Sequence, residues 1–82
     1  MNMKNITMNI YAKKGDRVIY KGDAKANPKD NRPDVDNAIK YLKKGEIYTV
    51  KRTMPKEWIT FVELEEFKGI IFNTVHFKDC IN

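Results

Sequence analysis

The sequence predicts a mainly β fold, a small antiparallel barrel with one short helical insert, and three observations carry that expectation. Short blocks rich in β-branched and aromatic residues recur between turn signals, most clearly at residues 17–20, 46–52 and 58–64. Only residues 34–44 repeat apolar positions at a helical spacing. The C-terminal strands are joined by short turns, so they form a meander. A chain of 82 residues most simply covers such a sheet's inner face and edges by closing it into a barrel.

Each element follows from local chemistry. Met3, Ile6, Met8 and Ile10 alternate imperfectly, which suits a strand or a loose arm. Lys13-Lys14-Gly15-Asp16 reads as a turn, and Arg17-Val18-Ile19-Tyr20 as the strand that leaves it. Residues 22–33 contain almost nothing that could be buried and read as a flexible basic surface loop. Val35, Ala38, Ile39 and Leu42 share one face of a helix over residues 34–44. Asp34 is expected to cap its N-terminus, Gly45 to end it in a left-handed conformation, and Lys43 and Lys44 to suit its C-terminal dipole.

A strand is expected over residues 46–52 and a turn over 53–57, where Pro55 cannot donate to a ladder. Residues 58–64 hold β-formers at nearly every position and predict the strongest strand. A turn over 65–69, a strand over 70–72, a tight turn over 73–76 and a short strand at Phe77 complete the chain. Val18, Ile47, Val50, Phe61, Ile71 and Phe77 are the expected core. No internal repeat is visible.

Length and charge bound the function. Eighty-two residues make a single domain, 1–82, with a thin stability margin. No apolar run approaches the ~18 residues that span a bilayer, so no membrane partner is expected. The first residues lack a signal peptide's apolar core, and Cys80 is the only cysteine. A reducing location, the cytoplasm, is the expectation. Residues 1–45 carry eleven basic against five acidic residues, whereas residues 46–82 carry five against six. That asymmetry suits an anionic partner on one side of the domain.

Residues 42–50, Leu-Lys-Lys-Gly-Glu-Ile-Tyr-Thr-Val, resemble the stretch of SH3-type barrels in which an apolar residue, a lysine-rich turn and an acid lead into the second strand. Trp58 falls where that family opens its third strand, and Gly69-Ile70-Ile71-Phe72 resembles the fourth strand before its 3₁₀ turn. The order Gly15-Asp16-Arg17-Val18, insert, Leu42 to Val50, strand and terminal Phe77 also resembles short uncharacterised phage and prophage accessory proteins. The resemblance covers roughly residues 15–79. It implies an SH3-like barrel and a phage or mobile-element protein that docks on and inhibits a host protein, such as a defence-system component. Arg17-Val18-Ile19-Tyr20, the basic loop and Asn73 depart from the peptide-binding members, so polyproline recognition is not expected.

The residues give little chemistry for catalysis. Serine is absent, the lone His76 and lone Cys80 lie in a turn-and-strand region, and the four glycines stand apart from one another. No catalytic residue, metal ligand or cofactor is expected. A binding protein is the reading that remains. Lys13, Lys14, Arg17, Lys21, Lys25, Lys29 and Arg32 are the candidate contact cations, and Tyr48 and Trp58 the candidate aromatic anchors. A host protein is the first partner class and nucleic acid the second, since basic residues among aromatics suit single strands. Sequestration of a small anionic nucleotide between barrels of a homo-oligomer is a third.

Overall fold

The computed structural model describes residues 7–26, 29 and 32–80. Five strands, β1 (Arg17–Tyr20), β2 (Ile47–Pro55), β3 (Thr60–Leu64), β4 (Ile71–Asn73) and β5 (Phe77–Asp79), join one antiparallel sheet in the order β4-β3-β2-β1-β5. A single helix, α1 (Pro33–Tyr41), interrupts them, and 3₁₀ turns at Glu65–Phe67 and Thr74–His76 flank β4. This is the mainly β fold with a short helical insert that the sequence predicts.

One strand makes the curvature possible. The first residues of β2 pair with β1, with Val18 opposite Tyr48, while the rest of β2 pairs with β3. The register shifts between Val50 and Arg52, so the strand bends at Lys51 and serves both halves of the sheet. Turns set the other corners. Lys56 N–H donates to the Ile59 carbonyl, which lets β2 run on to Pro55 instead of ending at residue 52. Pro55 sits at the end of its strand, where the missing donor costs nothing.

The two edge strands are covered. Asn37 of α1 donates its side-chain amide to the Ile71 carbonyl of β4, and Met8 N–H donates to the Phe77 carbonyl of β5. The segment at residues 7–12 thus lies along β5 as an arm, with Met8 inside the core. Residues 1–6, on which Met3 and Ile6 of the expected alternation fall, lie outside the described residues.

The core holds Met8, Val18, Tyr20, Ala38, Leu42, Tyr48, Val50, Val62, Leu64, Phe72 and Phe77, with Phe67 packed against it. Phe72 lies edge-on to both Phe67 and Phe77. Each fully buried Val, Leu or Phe contributes about 1.5–3 kcal/mol of apolar transfer. Val18, Val50 and Phe77 are buried as expected. Ile47, Phe61 and Ile71 are not: Ile47 is 49 % exposed, and Phe61 and Ile71 are half-buried. In each case the adjacent residue, Tyr48, Val62 or Phe72, takes the inward position. The pleat alternates faces, so two neighbouring apolar residues cannot both point in, and register decides between them.

The helix also differs in detail. It ends at Tyr41, and Gly45 takes its positive φ of 83° in a separate turn closed by Glu46 N–H to the Lys43 carbonyl. Arg32 occupies the cap position without a side-chain cap, because the Asp34 carboxylate is turned inward to Arg32 and Asn73. Ile39, expected on the buried face, is exposed, since α1 lies over the short β4 edge and not across the sheet.

The structure contains a repeat that composition hides. Lys13-Lys14-Gly15-Asp16 and Lys43-Lys44-Gly45-Glu46 lie thirty residues apart, and each is closed by the same backbone bond, Asp16 N–H to Lys13 and Glu46 N–H to Lys43. Gly15 donates to Val50 and Gly45 to Tyr20, while Val50 donates to Asp16 and Tyr20 to Glu46. Every one of these bonds has its partner at a shift of thirty. The β1–β2 ribbon therefore has a local two-fold axis through the Val18–Tyr48 pair, normal to the sheet. A positive φ at the third turn position explains glycine in both copies.

Candidate functional site

The turn between β2 and β3 lifts Trp58 out of the strand in which the sequence placed it. β3 begins only at Thr60, and Trp58 sits on the four-residue turn with 89 % of its surface exposed. A large side chain left in water on a rigid hairpin is unusual for a small domain. Beside it lies an open groove of about 300 Å³, lined among others by Ile10, Ile59 and Val75, with Thr7, Thr74 and Asn73 supplying polar edges. Val75 is also exposed.

Three elements hold this groove. Asn73 accepts from Val75 N–H and so caps the 3₁₀ turn at Thr74–His76, while its amide reaches Asp34 of α1 at 3.3 Å. The Thr74 hydroxyl donates to the Thr60 carbonyl, tying that turn to the start of β3. The arm at residues 7–12 is closed by Ala12 N–H to the Asn9 carbonyl, which presents Ile10 to the groove and leaves Tyr11 exposed.

Buried carboxylates lock the frame behind it. Glu63 accepts from Gly69 N–H at 2.8 Å, from Arg52 at 2.8 Å and from Lys51 at 3.2 Å. The Gly69 N–H first, then the two cations, hold its carboxyl well below the ordinary range, at about 2. Asp34 is pushed up by burial, but its bonds from Arg32 and Asn73 outweigh that and leave it lowered. Both groups are fully ionised at neutral pH and serve the fold.

The expected contact cations do not converge on one groove. Arg32 pairs with Asp34 at 2.9 Å, and Lys21 lies 3.6 Å from Asp23. Lys25 and Lys29 are exposed in the loop, while Lys13, Lys14 and Arg17 are exposed at the start of β1. Loop residues 27, 28, 30 and 31 lie outside the described residues, so the expected flexibility of 22–33 falls partly there. Its start is anchored: Ala24 packs on the core and Asp23 lies 2.9 Å from His76 Nδ1.

Tyr48 is corrected from surface anchor to core residue. It is 7 % exposed, and its hydroxyl accepts from Lys43 N–H at 2.9 Å, so ring and oxygen are both engaged.

For catalysis the arrangement supplies little. His76 and Asp23 form a pair, yet among the described residues His76 Nε2 is buried with no hydrogen-bond partner, so none of their hydroxyls or thiols stands where a nucleophile would. Among the described residues no group of three or more His, Cys, Asp or Glu could hold a metal ion, and no helix is long and apolar enough to cross a membrane. Sequence reasoning missed Ile10 and Val75, which look like ordinary core candidates until the arm and the 3₁₀ turn place them at the groove. It also missed Lys43 and Lys44 as contact cations, although the second Lys-Lys-Gly was there to be read. Comparison with family models, curated proteins and solved structures finds no match to this chain.

Proposed function

We propose that this chain is a non-catalytic binding module that docks on another protein through the groove beside Trp58. The observation that supports it is the indole itself, held out in water on a short turn beside Ile10 and Val75. Such a residue gives the fold almost nothing, and tryptophan dominates protein interfaces because it buries a large rigid surface at low entropic cost. The partner class implied by the resemblance to phage accessory proteins, a host enzyme or defence component, fits this mode of action, with inhibition following from occlusion.

The test compares wild-type protein and Trp58→Ala on a partner captured from nuclease-treated bacterial lysate and then purified. Loss of the indole should weaken binding by about 2 kcal/mol or more, roughly thirtyfold in Kd. Its melting temperature should stay within about a degree, because nothing packs on the side chain that would hold the core. Equal affinity of the two proteins would end this reading.

A further inference from the structure

The two-fold ribbon has a use that lies apart from the Trp58 groove. Its inward face is the core, made by Val18, Tyr20, Tyr48 and Val50. Its outward face carries Arg17, Ile19, Ile47 and Thr49, with Lys78 of β5 paired beside Ile19. A two-fold normal to the ribbon keeps each face to itself, so the dilysine turns occupy equivalent places at its opposite ends. On the Val18–Tyr48 register Lys44 is level with Gly22, eight residues from Lys14, so the two stand at most roughly 26 Å apart along the ribbon at about 3.3 Å per residue.

Charge on this face is open. No ion pair to a described carboxylate engages Lys13, Lys14, Lys43 or Lys44, in contrast with Lys51, Arg52 and Arg32, which are committed to Glu63 and Asp34. The acids nearby are Asp16 and Glu46 in the turns, Glu66, whose carboxylate accepts from Thr49 N–H, and Asp79 of β5, which lies beside Asp16 and Arg17 and accepts from Asn9 N–H. Against Lys13, Lys14, Arg17, Lys43, Lys44 and Lys78 they leave a balance of +2. No aromatic stands on the outward face, so it is not built to stack unpaired bases.

We propose that this face binds double-stranded DNA, each dilysine turn neutralising phosphates of one strand. A duplex has its own two-fold axes normal to the helix, relating its antiparallel strands, and the ribbon's axis can coincide with one of them. A B-form major groove is about 12 Å wide between backbones. Tips up to roughly 26 Å apart are wider than the groove, so they stand over the backbones that flank it and not inside it. Contacts of this kind position without reading sequence.

The test is fluorescence anisotropy with a short labelled DNA duplex and its separated single strand, at about 50 and 200 mM salt. Four neutralised phosphates give a slope near −3.6 in log–log form, a fall of about a hundredfold between those salt concentrations. The duplex should bind more tightly than the single strand. Lys14→Gln and Lys44→Gln should each lower the slope by about one and weaken binding equally within about twofold, as the symmetry demands. Lys56→Gln, which removes the same charge from the distant β2–β3 turn, should leave the affinity within about twofold. These substitutions keep the side-chain stem, and the wild-type slope needs no variant at all. No duplex binding at the lower salt, single strands binding as well as duplex, or a loss confined to one of the two turns would each overturn the proposal. The first of these outcomes would leave a protein as the only partner.

Discussion

In the half of the sheet built by β5, β1 and the start of β2, Lys13, Lys14, Lys43 and Lys44 stand at the turns with no ion pair to a described carboxylate, and the outward face is open. In the half built by the rest of β2, β3 and β4, the charged groups are bound to one another: Glu63 to Arg52, Lys51 and Gly69, and Asp34 to Arg32 and Asn73. The difference follows from what covers each half. Helix α1 lies against β4 in the second half, where Asp34, Glu63 and Asn73 are buried and must then be satisfied. Little covers the first half's outer face, so its charges keep their water and remain available to a partner. The same charged residue types are thus bound into the fold on one side and left in water on the other.

The largest expected effect tests which residues face inward in the second half. Phe72→Ala should destabilise by about 3–5 kcal/mol, because Phe72 is fully buried between Phe67 and Phe77. Phe61→Ala, one strand away but half-exposed, should cost about 1 kcal/mol. Chemical denaturation of the two variants gives both numbers. If Phe61→Ala proved the more costly, the outward assignment of Phe61 would be wrong.

Next in size is the acid response, which belongs to the second half. The Glu63 carboxyl titrates at about 2 against an ordinary 4.5, and Asp34 is also lowered. Protons therefore bind the unfolded chain first. The contribution of these groups is complete above about pH 4.5 and is lost as pH falls towards 2. The melting temperature should drop over that window, and Glu63→Gln should be less stable at neutral pH with a flatter acid limb. An unchanged acid limb in Glu63→Gln would place the response elsewhere.

Smaller effects separate the two dilysine turns, which share a backbone but differ in their caps. Lys43 N–H is satisfied by the part-buried Tyr48 hydroxyl, Lys13 N–H by the exposed Asp16 carboxylate. Tyr48→Phe should cost about 1–2 kcal/mol, since it strands a donor away from water. Asp16→Ala should cost only about 0.5 kcal/mol, because water replaces the carboxylate. The backbone itself should behave alike in both turns. Gly15→Ala and Gly45→Ala each force a side chain into positive φ with open space around it, and each should cost about 1 kcal/mol. Unequal glycine variants would break the two-fold description.

Most of the fold class was legible because it rests on local chemistry. Val-Ile-Tyr, Ile-Tyr-Thr-Val and Phe-Val-Glu-Leu prefer a pleated surface wherever they occur, and Gly15, Gly45 and Pro55 mark corners through their own backbone limits. The helix showed in the spacing of Ala38 and Leu42. Which face of each strand turned inward was decided only by the tertiary structure. Ile47-Tyr48, Phe61-Val62 and Ile71-Phe72 are neighbouring apolar pairs, so a two-residue period fits either phase, and the bend at Lys51 and the cross-strand registers choose. The candidate sites were hidden for the same kind of reason. Trp58 is a good strand residue by type, and it became exposed because the Lys56–Ile59 turn delayed β3 to Thr60. Lys14 and Lys44 are thirty residues apart, and only antiparallel pairing of Val18 with Tyr48 makes them the two ends of one face. Local preference selects the elements; long-range pairing, which no short window of sequence contains, selects their neighbours and their outward face.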